Sequence, residues 1–443
     1  MTMSELVVGV ARRNITPPVG ASMAGYAGRD HGAEGVHDEL WVRALFLCDG
    51  ENCAALLSRD TLSTRNEEMD LLAEVFERRL GLERDQIFIA NTHTHSGPAT
   101  DYDDDAKNRS YVETLAEICA GAVAEARAKA RPATLSVAER PVQCGVNRRE
   151  LRDGAMVLGV NPAGPCDRVV DVLSFAEAAT GRTMATIFRH GVHGVVMGGR
   201  NYLISGDAPG AAEAFVEANL PGVAGFLAGA SGDINAYHHG GTFDDVAMLG
   251  RRLGAATVQA TTETGEARSN LRLATVRHEF ELPIAQIEDE ADLRADRAEL
   301  EDALEKIEAG EGPDGLGRWD CERRLKHVNA QIEAIEAGEE LTGLPTFAQV
   351  LALGDVALVG WPGEVFCEIA QQVREQSPFV TTLDVTHVGG SIGYVPVASA
   401  YEDGGYEIRA RAHHRGLGIL PEAEGVMVRE TLAALAKARE ALG

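Results

Sequence analysis

No stretch of this 443-residue chain approaches the roughly 18 to 20 consecutive apolar residues that cross a bilayer, so stable membrane insertion is not expected. Basic residues are scarce. The 41 Lys and Arg stand against 68 Asp and Glu, a net charge of −27, and no local basic patch offsets it. Such a chain repels nucleic acid and anionic surfaces, so no nucleic-acid partner is expected. The N-terminus, Met1 to Val8, lacks the basic and long apolar regions of a signal peptide. The seven cysteines are dispersed with no C-x-x-C, a pattern that predicts reduced thiols and a cytoplasmic location.

Hydrophobic residues make up 45% of the chain, enough for a large core. Short strand-like runs alternate with helical ones. Leu6 to Val10, Trp41 to Cys48, Ala54 to Ser58 and Ile87 to Ala90 read as strands. Val169 to Phe175 and Met184 to Phe188 read as a strand pair turning at Thr180-Gly181, and Val223 to Leu227, Phe347 to Leu353 and Val356 to Val359 as further strands. Helical spacing marks Glu67 to Leu80, with Gly81 as its stop, and Tyr111 to Lys129, Pro209 to Leu220, Val246 to Thr264 and Glu422 to Leu442. This alternation predicts an α/β fold: a layered mixed sheet with flanking helices and catalytic loops at strand ends.

Residues 286–344 differ. Leu293, Leu300, Leu304 and Ile307, then Leu325, Val328, Ile332 and Ile335, fall at heptad-like spacing in two charged runs that each close with Ile-Glu-Ala-Gly. The pattern predicts an antiparallel helical hairpin inserted into a single α/β domain of residues 1–285 and 345–443. A packing element with a solvated face is its plain reading. A dimerisation arm, giving a homo-oligomer, or a lid over the site is the functional one.

Four polar clusters follow strands. The first is Asn91-Thr92-His93-Thr94-His95-Ser96-Gly97-Pro98, where an extended backbone would project His93 and His95 to one side. Imidazole is the commonest metal ligand and suits proton transfer near neutral pH. Two exposed loop histidines are the bland alternative. The second is Arg189-His190-Gly191-Val192-His193-Gly194, in which either histidine could be a ligand. The third, Gly229-Ala230-Ser231-Gly232-Asp233, nearly matches a nucleophile elbow, but Asp233 replaces its last glycine. The fourth is Trp361-Pro362-Gly363-Glu364, a carboxylate on a turn. Two histidines and a carboxylate with an open position form a common catalytic zinc set. Asp60, Asp207 and Asp233 read as supports of such ligands, with a second metal site as the alternative for Asp60. His238-His239 and His413-His414 read as solvated loop residues, with substrate contact as the alternative.

The Asn91–Pro98 segment resembles the signature of the neutral/alkaline (non-lysosomal) ceramidase family, in its N-terminal catalytic domain. Gly9 to Pro18 with Met23 to Tyr26, His193 through Asn201 to Asp207, Pro362-Gly363-Glu364, Gly393-Tyr394-Val395 with Tyr406-Glu407, and Asn147-Arg148 are similar to further family segments, in order. The resemblance implies Zn²⁺ held by His93, His193, Glu364 and Tyr394, with His95, Arg148 and Tyr406 around the substrate. His95 would handle a proton, and Arg148 or Tyr406 would face an oxyanion. Two departures shape the expected substrate. Asn235 stands where the family places a serine, which predicts attack by metal-activated water without a covalent intermediate. The immunoglobulin-like C-terminal domain of full-length ceramidases does not follow, and aromatics are only 5% of the chain. A zinc hydrolase of an amide, ester or lactone in a small soluble substrate is therefore expected. The alternatives are a ceramidase-type amidase acting on a lipid, or a non-hydrolytic zinc lyase, isomerase or binding protein.

Overall fold

The computed structural model describes residues 5–101, 106–263, 265–311 and 316–443. Thr264, expected to close a helix, and most of the Gly312 to Gly317 connection lie outside the described residues. The largest sheet has eight strands. In spatial order they are Val223–Ala228, Thr183–His190, Val169–Glu177, Arg131–Pro141, Val7–Asn14, Trp41–Cys48, Cys53–Arg59 and Ile87–Asn91. A second sheet orders Leu273–Leu282, Leu344–Leu353, Val356–Gly360 and Thr381–Val385.

The two sheets share a core. Leu45, Leu47, Leu56 and Phe88 from the first pack with Leu351, Leu353, Leu358 and Leu383 from the second, all at most 1% exposed. Helices cover the outer faces. Asn66–Leu80 and Ala106–Ala128 bury Leu72, Phe76, Leu115 and Val123 against one part of the large sheet, and Asp207–Asn219 with Phe243–Thr262 cover another. Cys367–Gln376 and Ala423–Leu442 close the smaller sheet. Burial of this apolar surface, at about 25 cal/mol per Å², is the main favourable term in holding the layers together.

Parallel pairing is limited to Cys53–Arg59 with Ile87–Asn91, Thr183–His190 with Val223–Ala228, and Val356–Gly360 with Thr381–Val385 among the two large sheets. The polar segments leave the carboxyl ends of these parallel strands, where open α/β sheets place their sites.

Residues 290–337 hold two helices, Glu290–Glu308 and Leu316–Ala337, with their own small core of Leu293, Leu300, Val328 and Ile332. Gly310 (φ 77°) and Gly338 (φ 65°) follow the two helices in the left-handed conformation that favours glycine. The flanking strands pair antiparallel with Leu282 opposite Leu344, so the chain leaves and re-enters the sheet at adjacent positions.

Cys48 and Cys53 depart from the expected reduced thiols. They face each other across the hairpin of Trp41–Cys48 and Cys53–Arg59 and form a disulfide. Their spacing of five residues concealed a direct cross-strand pair. No described helix is long and apolar enough to cross a membrane.

Candidate active site

The fully buried strand Ile87–Asn91 delivers the first histidines, but not by the pleat of an extended chain. His93 has φ 59°, a left-handed backbone, so alternation along a strand is not what aligns it with His95. Its ring is aimed instead by a hydrogen bond between Nδ1 and the Leu62 carbonyl at 2.8 Å. His95 is aimed by its Nδ1 contact to the Gly25 carbonyl at 3.1 Å. Their Nε2 atoms lie 3.1 Å apart.

The second segment is locked to the first. The His95 amide donates to the Gly194 carbonyl at 2.9 Å, and Thr94 bridges Gly194. A Cβ on Gly194 would stand 2.9 Å from the His93 carbonyl oxygen, so glycine permits this approach. His193 Nδ1 meets the Ile234 carbonyl at 3.0 Å, and its Nε2 turns inward. The potential ligand nitrogens of His93, His95 and His193 all lie within 4.8 Å of one another. His190 instead sets Nδ1 on the Val169 carbonyl at 2.9 Å and is the structural neighbour of the pair.

Glu364 arrives from the turn after Val356–Gly360. A two-residue parallel pairing sets Glu364 opposite Tyr394. Glu364 Oε2 lies 3.1 Å from His193 Nε2 and 3.8 Å from His93 Nε2. Arg148 enters from the strand Gly145–Arg152. It donates from Nε to Glu407 at 2.7 Å and from Nη1 to Asn235 at 3.1 Å, with its guanidinium 5.3 Å from the Tyr394 ring centre and 5.9 Å from that of Tyr406. The Tyr394 and Tyr406 rings are 5.6 Å apart. The seven residues implied by the family resemblance thus gather in one place.

The electrostatics fit a cation. Burial lowers the pKa of His93 and pushes those of His95 and His193 well below the usual imidazole value. Burial would raise the Glu364 carboxyl, but His93, His387, Tyr394 and Arg148 outweigh it and hold it below the usual range. Each of the three Nδ1 atoms faces a carbonyl and must carry the proton. The lone pairs of the Nε2 atoms therefore converge on each other and on a carboxylate oxygen. Acceptors at 3.1 Å repel unless a positive charge sits among them. A metal-ligating imidazole commonly donates its other ring N–H to a carbonyl, as these three do, so the donor set suits a metal ion.

Most of the other candidates serve the surrounding structure. Asp60 is bound by Arg43 at 3.0 Å and by the Trp41 amide at 2.8 Å, in a buried ion-pair group with Glu213. Asp207 accepts from the Val196 and Met197 amides, both at 3.2 Å, and so braces the loop after His193. Asp233 holds Asn147 at 2.8 Å and the Cys367 amide at 3.0 Å. Ser231 is 1% exposed and its Oγ has no partner. His238 faces Asp245 at 3.7 Å on an outer loop. His413 and His414 line a cavity of about 580 Å³ together with His93 and Glu364.

Two residues had been given no role from the sequence, Glu407 being quoted only within the Tyr406-Glu407 segment. Glu407 fastens both Arg148 and Arg149. His387 stacks on His93 with ring centres 3.7 Å apart. The strand Thr381–Val385 running into Thr386-His387 was the available signal, the same strand-then-polar pattern as at His93.

The fold and the site define a layered α/β protein whose histidine cluster suits a metal ion. Residues 6–246 match the family model described as neutral/alkaline non-lysosomal ceramidase, N-terminal, and the chain belongs to that family. The match includes His93, His95, Arg148 and His193 and stops before Glu364. Neutral ceramidase 2 of Arabidopsis thaliana is 24% identical over 237 residues, which are 49% of this chain and 30% of that protein, so the matched region spans under a third of the relative's length. Two solved structures share the fold. A ceramidase complexed with C2 superposes with a TM-score of 0.73 at 18% identity, covering 99% of this chain and 76% of its own. The neutral ceramidase of Pseudomonas aeruginosa gives 0.73 and 18%, covering 99% and 75%.

Proposed function

We propose that this chain is a zinc-dependent amidase that cleaves an N-acyl amide lipid of the ceramide type. The relatives and structural neighbours carry the name ceramidase, which favours a lipid amide over the small soluble amide, ester or lactone expected from the sequence. The observation that carries the reading is the convergence of anchored imidazoles and a carboxylate beside a buried arginine.

His93, His193 and Glu364, with Tyr394, are the residues that would hold the ion, because the Glu364 carboxylate approaches His93 and His193. Zinc there would supply Lewis acidity toward the amide carbonyl. His95 is the less buried member of the histidine group and stands beside Tyr26, ring centres 5.1 Å apart. Its Nε2 takes a proton from the attacking water and returns one to the leaving amine. The Arg148 guanidinium stays charged, since Tyr394, Glu407 and Glu364 outweigh the effect of burial. Arg148 Nη2 has no partner and, with the Tyr406 hydroxyl, is the donor for a developing oxyanion.

The test is metal analysis followed by turnover of a zinc-loaded preparation on long-chain N-acyl amides, short soluble amides, esters and lactones. Preference for a long-chain amide supports the reading. Cleavage confined to small esters or lactones sinks it.

A further inference from the structure

We infer that His387 is a substrate-binding residue that hydrogen-bonds a hydroxyl on the amine side of the scissile amide. The inference rests on the N-acyl amide reading and specifies which part of the substrate this side of the site holds. His387 is 3% exposed, yet its Nε2 has no hydrogen-bond partner. A buried polar atom left unpaired is rare and calls for a ligand, an ion or a water. Its backbone is also unusual. At φ 59° it sits in the left-handed region, held by the Asn91 side chain, which donates to the His387 carbonyl at 2.6 Å. Strain of this kind at a non-glycine residue persists where surrounding contacts fix it, and it clusters at ligand sites.

The ring lies flat against His93, at an interplanar angle of 10°. That face is away from a metal-ligand role, since His387 falls outside the group of imidazoles whose nitrogens converge within 4.8 Å. It lines the same cavity of about 580 Å³ that opens on His93 and Glu364. The lining of that cavity is mixed, with Arg65, Asn66 and Ser391 among its polar residues and Leu62, Leu344 and Ile392 among its apolar ones. A plain acyl chain there would leave the His387 nitrogen unpaired. A hydroxylated amine is well matched, and an imidazole nitrogen can either donate to its hydroxyl or accept from it.

The test uses the metal-loaded full chain and two variants, His387→Gly, which removes the ring without straining the left-handed backbone, and His387→Asn, which keeps a polar group there and tolerates that conformation. Two probes are compared: a long-chain 2-amino alcohol and the matching amine without the hydroxyl. Calorimetry reads the affinity for each, and zinc per chain is measured in parallel. The wild-type chain should prefer the amino alcohol by about tenfold, the scale of one hydrogen bond. His387→Gly should erase the preference, His387→Asn should restore part of it, and both should keep their zinc. Zinc loss in both variants, equal weakening of both probes, or a wild-type chain without preference overturns the inference. If no amide is cleaved but the preference and its loss are seen, the hydroxyl contact stands and the amidase reading falls.

Discussion

Asn235 Oδ1 accepts a hydrogen bond from Arg148 Nη1 at 3.1 Å, so the side chain at the family's serine position is tied to the arginine beside the histidine cluster. An amide has no nucleophilic oxygen to offer an acyl carbon, but it can aim a guanidinium. Asn235→Ala should therefore slow turnover by roughly tenfold, the scale of a hydrogen bond to a charged group, and leave zinc content unchanged. Ser231→Ala should keep most of its activity. An acyl adduct on any side chain, trapped by rapid quench and found by mass spectrometry, would overturn the direct route.

Removing a ligand and removing a proton carrier have different signatures. His93→Ala and His193→Ala should lose both zinc and activity, because each takes an inward-facing Nε2 from the set around Glu364. His95→Ala should retain close to one zinc per chain while turnover falls about 10²- to 10⁴-fold, the usual loss for a general acid–base group. Zinc analysis and steady-state rates on the same samples decide it. Loss of zinc from His95→Ala would make His95 a ligand.

Much of this arrangement was legible because strands rich in apolar residues run straight into polar turns. Ile87–Asn91 and Thr183–His190 announce themselves by composition, and Gly81 marks a helix end through its left-handed backbone at φ 64°. Arg131–Pro141 was not legible, since its ends are polar and exposed and only its middle is buried. Leu273–Leu282 carries Arg, His and Glu on a half-covered sheet, which masks its alternation. His387 escaped notice as a single histidine, because its importance comes from stacking on a residue almost 300 positions away, which no local pattern encodes. The Cys48–Cys53 link was hidden in the same way, by a register that only strand pairing sets.

Glu407 is buried at 1% exposure and holds Arg148 at 2.7 Å and Arg149 at 2.8 Å. Truncating it leaves two guanidinium groups without their carboxylate in a dry environment. Breaking a buried pair in this way costs about 3–5 kcal/mol. Glu407→Ala should accordingly lower the urea midpoint sharply and abolish turnover, whereas Glu407→Asp should recover stability in part. A stable and active Glu407→Ala variant would show that Arg148 is held by other contacts.

The second inserted helix, Leu316–Ala337, and the residues just after it touch the segment that bears His413 and His414. His327 meets His413 with ring centres 4.1 Å apart, Glu339 pairs with Arg415 at 3.0 Å, and Arg323 donates to the Arg409 carbonyl at 2.9 Å. Gly416 has φ 83°, and a Cβ there would stand 2.5 Å from the His327 Cβ. Gly416→Ala should push the loop off the helices, raise KM several-fold and leave zinc bound. Unchanged KM for every substrate tested would separate the insertion from the site.

A buried ion cluster predicts how stability varies with pH. Arg189 reaches Asp171 at 3.3 Å and Asp384 at 2.6 Å, and also pairs with Asp167. Burial pushes the Asp171 carboxyl up to about 6, with Asp167 adding to the rise against the pull of Arg189. For Asp167 burial also acts upward, but Arg189, His190 and Arg374 outweigh it and bring it down to about 2. The signs are opposite. Between about pH 4 and pH 6 the folded chain holds a proton on Asp171 that the unfolded chain has released, so stability falls as pH rises through this window. Between about pH 2 and pH 4 the unfolded chain holds the proton on Asp167, so stability falls as pH drops. Asp207, raised to about 6 mainly by burial, adds to the upper limb. Asp171→Asn should thus reduce the decline between pH 4 and pH 6, by up to about 3 kcal/mol at one pKa unit per 1.36 kcal/mol, and spare the acid limb. Urea midpoints of the wild-type and variant chains across pH 3 to pH 7 make the comparison, and identical slopes between pH 4 and pH 6 would show that Asp171 is ionised throughout.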